Sequence, residues 1–257
     1  MKLFLPSEGI YGQKSVSLNR PTFGIIHEIQ QYNDDEFLRK IKFVELVSDA
    51  NLEKITWWDL CYIFDVAAFA ALLNRASFKV TCIECGNSFT HNLSLGECDI
   101  KQLAVVKSDL PRRIFKAGKL YSFHLLSAKD VVDSYEYAQY RDNEDNAFYL
   151  AKLNRAMGKK VNSSYSKDLP LSVATAAEEF QRILYHGFIR TVACKCPQCG
   201  TEFVSSWQMS TKVLEFKNEA LLDRFVSVSD ILTFKDFMNI SLSDFDTLVG
   251  ILNKKAR

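Results

Sequence analysis

The stretches Cys82-Ile-Glu-Cys85-Gly86 and Cys196-Pro-Gln-Cys199-Gly200 decide how this chain is read. In each, two residues separate the thiols and a glycine follows. That spacing lets both sulfurs of a tight turn face one ion, and the glycine supplies the backbone freedom the turn needs. Two such knuckles make an all-thiolate tetrahedral zinc site, so Cys82, Cys85, Cys196 and Cys199 are the expected ligands of one structural zinc. A free-standing ribbon has roughly 15–20 residues between its knuckles, whereas 110 residues lie between Cys85 and Cys196. Closure entropy grows slowly with loop length, so a compactly folded insert keeps a shared site feasible. Two half-sites completed by other ligands, or unmetallated thiols, are the alternatives. Cys194, two residues before Cys196, is expected to be a buried strand residue that could compete as a ligand. An odd total of seven cysteines argues against a disulfide framework.

Working outward, Ser77 to Thr81 and Ser88 to Leu95 alternate apolar and polar residues around the first knuckle, and Phe188 to Cys194 and Thr201 to Gln208 flank the second. Both pairs predict hairpins. Before the first, WWDLCYIFDVAAFAALL from Trp57 to Leu73 predicts a helix that is buried or faces a partner, opened by Thr56 with Asp59 three residues on. Asp59 and Asp65 lie six apart, off the spacing that stacks two carboxylates on one helix face, so they are expected to be a cap and a satisfied carboxylate rather than a catalytic pair. Residues 1–22 carry Pro6, Gly9, Gly12 and Pro21 and predict an extended arm with a strand near Ser15 to Leu18, or a partner-binding tail. A short helix from Phe23 and a second one capped by Asp34 and reaching Val47 follow.

Between the knuckles, Arg113 to Phe115 and Leu120 to Leu126 predict a hairpin turning at Gly118. Ser127 is expected to cap a helix reaching Tyr140, and Asn146 to Met157 to form another. Gly158 to Asp168 predicts a loop, and Pro170 and Ser172 open a helix with Gly187 as its C-cap residue. In the tail, Ser227-Val-Ser-Asp and Ser241-Leu-Ser-Asp each precede an apolar run and predict helix starts. The expected fold is therefore α+β, a discontinuous zinc ribbon combined with helical segments. Its boundaries are 1–22 arm, 23–76 helical, 77–98 first half-ribbon, 99–187 strand pair and helical insert, 188–212 second half-ribbon and 213–257 helical tail.

The net charge of +1 makes no global electrostatic demand for nucleic acid or membrane. No apolar run reaches the 18 or so residues of a membrane span. MKLFLPSEG lacks the run of a signal peptide, so a reducing, intracellular site of synthesis is expected. Nineteen phenylalanines and ten tyrosines supply aromatic surface for a core or an interface. HExxH, GxSxG, GxGxxG and a phosphate loop are all missing. The lone His91 reads as a packing or surface residue, and the four histidines His27, His91, His124 and His186 could form a triad only through the tertiary fold. A zinc closed by four thiolates leaves no position for water, so no catalytic residue is expected.

Two function classes follow: an assembly protein working through protein contacts, and a nucleic-acid-binding ribbon protein of transcription or replication. Against the second, few cations sit near the knuckles, namely Lys79 and Lys101 near the first and Arg190, Lys195 and Lys212 near the second. The pair Arg112 and Arg113 could touch phosphate, although two arginines at a strand start are usually solvated.

The chain resembles the baseplate hub and hub-assembly proteins of T-even-like contractile-tailed bacteriophages. The resemblance rests on Arg20-Pro-Thr-Phe, Phe43-Val-Glu-Leu, Ile55-Thr-Trp-Trp-Asp-Leu-Cys-Tyr-Ile-Phe, the first knuckle, Leu126-Ser-Ala-Lys-Asp-Val and the second knuckle. As a pattern of elements it covers most of residues 15–210, and the loop at Gly158 to Asp168 and the tail after Phe216 depart from it. It implies a non-enzymatic virion or tail-assembly role. The implied partners are other baseplate and hub proteins, the implied location is the host cytoplasm during assembly or the tail baseplate, and the site carried over is the four-cysteine tetrad.

Overall fold

In the computed structural model, residues 1–32, 35–72, 75–105, 110, 112–116, 118–137, 151, 170–211, 223–229 and 231–255 are described. The expected Asn146 to Met157 helix (Ala151 apart), the Gly158 to Asp168 loop and the Asp34 side chain lie outside them. Strands β1 (Lys2–Phe4) and β2 (Ser15–Ser17) pair antiparallel. Helices α1 (Phe23–Ile29), α2 (Glu36–Val47) and α3 (Trp57–Ala71) follow. The cap of α2 is Asp35 rather than Asp34: its carboxylate accepts from the Leu38 amide at 2.9 Å.

Helix α3 is apolar on nearly all sides, apart from Asp59 and Asp65, so it has to be covered by the core or by a partner. Its start is a full capping box. The Thr56 hydroxyl accepts from the Asp59 amide at 3.0 Å, and the Asp59 carboxylate accepts from the Thr56 amide at 3.1 Å. Leu60, Ile63, Phe64, Ala67, Ala68 and Phe69 are almost completely buried, so α3 belongs to the core rather than to an interface. It packs against α2, strand β8 (Gly187–Phe188), and helices α4 (Ala128–Tyr137) and α7 (Leu242–Lys255). Burying each large side chain contributes about 1.5–3 kcal/mol.

The N-terminal arm is not a free tail. Leu5, Val16 and Leu18 sit in the main core, and the Ser7 amide donates to Asp59 at 3.1 Å. The C-terminal segment folds back in the same way. Phe23 of α1 stacks on Phe237 of helix α6 (Phe234–Asn239) at 4.5 Å and meets Phe245 of α7 edge-on at 5.4 Å. Gly24 permits this approach, because a Cβ there would lie 2.9 Å from the Met238 carbonyl oxygen. Helix α7 starts as expected, with the Asp244 amide donating to Ser241, but α6 is capped by Thr233, downstream of the expected Ser227-Val-Ser-Asp start, whose Asp230 lies outside the described residues.

Among the described residues, all sheets are two-stranded and antiparallel. Strands β3 (Arg75–Thr81) and β4 (Ser88–Ser94) form the first knuckle hairpin, and β9 (Thr191–Lys195) and β10 (Glu202–Ser206) the second. Strand β5 (Ile100–Lys101) pairs with β8, and β6 (Arg112–Lys116) pairs with β7 (Lys119–Phe123) around Gly118. Two expected boundaries move. Helix α5 (Leu171–Ile183) ends on Leu184, so Gly187 is not its cap. Instead Gly187, at φ 109°, and Phe188 form β8, where Phe188 is buried against Tyr62 and Phe69. Packing against α3 captures this pair and starts the second hairpin three residues late. The architecture is thus α+β with small antiparallel hairpins. Among the described residues, no helix is long and apolar enough to cross a membrane.

Candidate metal centre

The two knuckles are near copies of one another. In the first, the Cys82 amide donates to the Asn87 carbonyl at 2.8 Å and the Gly86 amide to the Cys82 carbonyl at 3.0 Å. In the second, Cys196 donates to Thr201 at 2.9 Å and Gly200 to Cys196 at 3.0 Å. Both turns need a left-handed residue after the second thiol, and both have glycine there, at φ 71° for Gly86 and 76° for Gly200.

The hairpins meet knuckle to knuckle across the chain. Cys82 Sγ lies 3.7 Å from Cys199 Sγ, and Cys85 Sγ lies 3.6 Å from Cys196 Sγ. All four sulfurs fall within 4.8 Å of one another. A tetrahedron with metal–sulfur bonds of about 2.3 Å has sulfur–sulfur edges of about 3.8 Å, so the observed pairs have the size of one thiolate cage. Cys82 and Cys196 are buried, while Cys85 and Cys199 are exposed. One side of the cage faces the protein and the other faces solvent.

The same two-fold likeness assigns Cys194. It stands two residues before Cys196, where Val80 stands two residues before Cys82. Cys194, Val80 and Phe203 form one small core with Cys82 and Cys196, and Phe89 packs against it. Phe89 and Phe203, each four residues after a knuckle's second thiol, meet edge-on at 6.4 Å. Cys194 therefore packs as expected, and it lies outside the sulfur cluster. The equal offsets around both knuckles were available in the sequence, and they mark this small core. His91 pairs across the strands with Phe78 and is not in the cluster.

Crowding four sulfurs splits their acidities. Cys199 is drawn down to about 6, first by the Thr201 hydroxyl, 3.2 Å from its sulfur, and then by the Thr201 backbone. At Cys85 the Asn87 backbone pulls down, but burial and the thiols of Cys199, Cys196 and Cys82 outweigh it and push the group up to about 12. Repulsion of this kind is relieved by a dication, since a metal ligand must be a thiolate.

A second constellation has the outline of a catalytic triad. His186 Nε2 lies 2.6 Å from Thr56 Oγ1 and 3.6 Å from Asp59 Oδ1, and Nδ1 lies 2.8 Å from the Leu184 carbonyl. A carbonyl only accepts, so Nδ1 carries the proton and Thr56 donates to Nε2. Burial lowers the histidine's basicity and outweighs the opposing pull of Asp59, leaving the ring neutral. Thr56, Asp59 and His186 are each 0% exposed, so no substrate reaches them. They form a polar knot that ties the arm and the α5–β8 turn to the start of α3. Asp65, the other acid on this helix, is satisfied by Arg190 at 2.5 Å.

Fold and site together define a class: an α+β chain whose four cysteines, drawn from two hairpins remote in sequence, cluster at metal-binding distance. Comparison with family models, characterised proteins and solved structures gave no match to the chain.

Proposed function

We propose that the cysteine cage holds one structural zinc, and that the protein is a non-enzymatic assembly component of a contractile phage tail baseplate, in the hub region. The observation that carries the metal reading is the 3.6–3.7 Å spacing of sulfurs drawn from opposite knuckles. Four thiolates suit zinc, and they close its coordination, which favours a scaffold over a catalyst. The zinc would clamp two hairpins, each its own two-stranded sheet, into one ribbon. The baseplate assignment draws its support only from the resemblance of the motif order to that of T-even-like hub proteins, and the partners would be other baseplate and hub proteins. Metal analysis of the purified chain should return one zinc per molecule. Co-expression with the hub proteins of a contractile phage should give a stable complex, and failure of every such pairing counts against the baseplate role while leaving the zinc reading intact.

A second reading, a nucleic-acid accessory protein, gains one observation. The β6–β7 hairpin exposes Arg112, Arg113 and Lys119, with Phe115 74% exposed directly across from Leu120. No acidic residue occurs from Leu110 to Leu125. Cations beside an aromatic face suit single-stranded nucleic acid. Oligonucleotide binding that weakens steeply with salt would favour this reading over the first.

A further inference from the structure

The sulfurs of the cage form two pairs that each join opposite knuckles, Cys82 with Cys199 at 3.7 Å and Cys85 with Cys196 at 3.6 Å. Each pair has one sheltered and one accessible member, since Cys82 and Cys196 are buried while Cys85 and Cys199 are exposed. The accessible members stand on the tips of the turns, where residues 83–86 and 197–200 are all open to solvent. Metal ligation holds cysteines as thiolates, the form that attacks peroxides. An accessible thiolate beside a second sulfur that can resolve it is the arrangement of oxidation-sensitive cysteines. A disulfide bond is about 2.0 Å long, so either pair closes with less than about 2 Å of combined movement. Cys194 shares the small core, but it is 3% exposed and lies outside the sulfur cluster.

We propose that Cys85 and Cys199 are the sites at which a peroxide modifies this protein, and that oxidation converts the cage into two disulfides, Cys82–Cys199 and Cys85–Cys196, with release of the metal. In each pair the exposed thiolate attacks the peroxide, the O–O bond breaks, and a sulfenic acid and one hydroxide form. The buried thiolate then attacks the sulfenic sulfur and a second hydroxide leaves. Two thiolates thus give two electrons to one peroxide, and the whole cage consumes two peroxides and loses every ligand thiolate. The bonds join residues 117 and 111 positions apart, so both tie the first hairpin to the second. Covalent links replace the ion, and the clamp between the hairpins is kept. Only the metal release rests on the zinc reading; the pairing of the sulfurs stands on geometry alone.

The test uses the full chain, as purified and after chelation, with hydrogen peroxide as the probe. Trypsin cuts after Lys79, Lys101, Arg190, Lys195 and Lys212, which places Cys82 and Cys85 on peptide 80–101, Cys196 and Cys199 on peptide 196–212, and Cys194 on peptide 191–195. After two equivalents of peroxide, unreduced digests should show peptides 80–101 and 196–212 joined with the loss of four hydrogens, and peptide 191–195 free with its thiol intact. A chromogenic chelator should read one zinc released for every two peroxides consumed, and dithiothreitol should separate the peptides and restore zinc binding. The double variant Cys82→Ser, Cys199→Ser should still join the two peptides, through Cys85 and Cys196, at the cost of one peroxide. Peptides recovered apart from the unaltered protein, each with an internal disulfide or with sulfinic or sulfonic cysteine, overturn the proposal, as does retention of zinc after two peroxides are consumed. A chain purified without zinc sinks the metal reading instead, and the joined or separate peptides still decide the pairing.

Discussion

Stripping the metal should open the two knuckles and leave the core closed. Among the described residues the cysteine cage packs with Val80, Cys194, Phe89, Val192 and Phe203, whereas α3 and its neighbours form a much larger core that meets the small one at Val192. Without metal, four backbone hydrogen bonds hold the two turns, at Cys82, Gly86, Cys196 and Gly200. At about 1 kcal/mol each they give an opening free energy of about 4 kcal/mol, or protection from amide exchange of about 10³-fold. Structural zinc in small domains contributes on the order of 10 kcal/mol. With metal bound, these amides should therefore exchange only when the whole chain unfolds. Hydrogen exchange before and after chelation reads both states. The expected result is a loss of protection confined to residues 80–90 and 194–204, with the amides of Leu60 to Phe69 unchanged. Simultaneous loss in α3 would show that the ion staples the whole fold, and no loss at the knuckles would remove the metal from the architecture. Cys82→Ser should reproduce the chelated pattern.

Other outcomes follow from particular contacts. Cys194→Val should leave metal content unchanged and alter stability by less than about 1.5 kcal/mol, because the residue packs as Val80 does; loss of zinc from this variant by metal analysis would make Cys194 a ligand. His186 has its basicity lowered in the folded chain by burial, so the unfolded chain takes up the proton first as pH falls. Stability from this group is fully present above its ordinary value of 6.5 and is lost as pH falls from there through the folded value, so the melting temperature should drop across that window. His186→Gln should flatten that dependence, and an unaltered profile refutes the assignment. Gly24→Ala gains up to about 1 kcal/mol of helix propensity. It also places a Cβ 2.9 Å from the Met238 carbonyl oxygen, and a net loss of about 1–2 kcal/mol in denaturant melts is expected.

Local chemistry was legible wherever a residue acts on its own turn. Thr56 with Asp59, Ser127 with Asp130 and Ser241 with Asp244 cap helices where the sequence places them, because a cap needs only partners within three residues. The knuckles were legible for the same reason, as each turn is specified by its own thiols and glycine. Boundaries failed where a distant neighbour competes. Gly187 suits a helix end, yet it and Phe188 are drawn into a strand against α3 and β5. The apolar run after Ser227-Val-Ser-Asp starts its helix later, at Thr233, where Phe234 and Phe237 pack with Phe225.

By itself the sequence determined the short-range units: an apolar helix that must be covered, by the core or by a partner, two thiol turns of metal-binding form, and an α+β mixture of helices and hairpins. Only the tertiary structure brought the turns to 3.6–3.7 Å across 110 intervening residues, sealed Asp59 and His186 into a knot without access, and gathered three tryptophans around Arg190. The division has one physical cause. Turns and caps are set by steric and hydrogen-bond preferences within a few residues, whereas sites built from remote segments depend on how apolar faces pack, and that packing is a property of the whole chain.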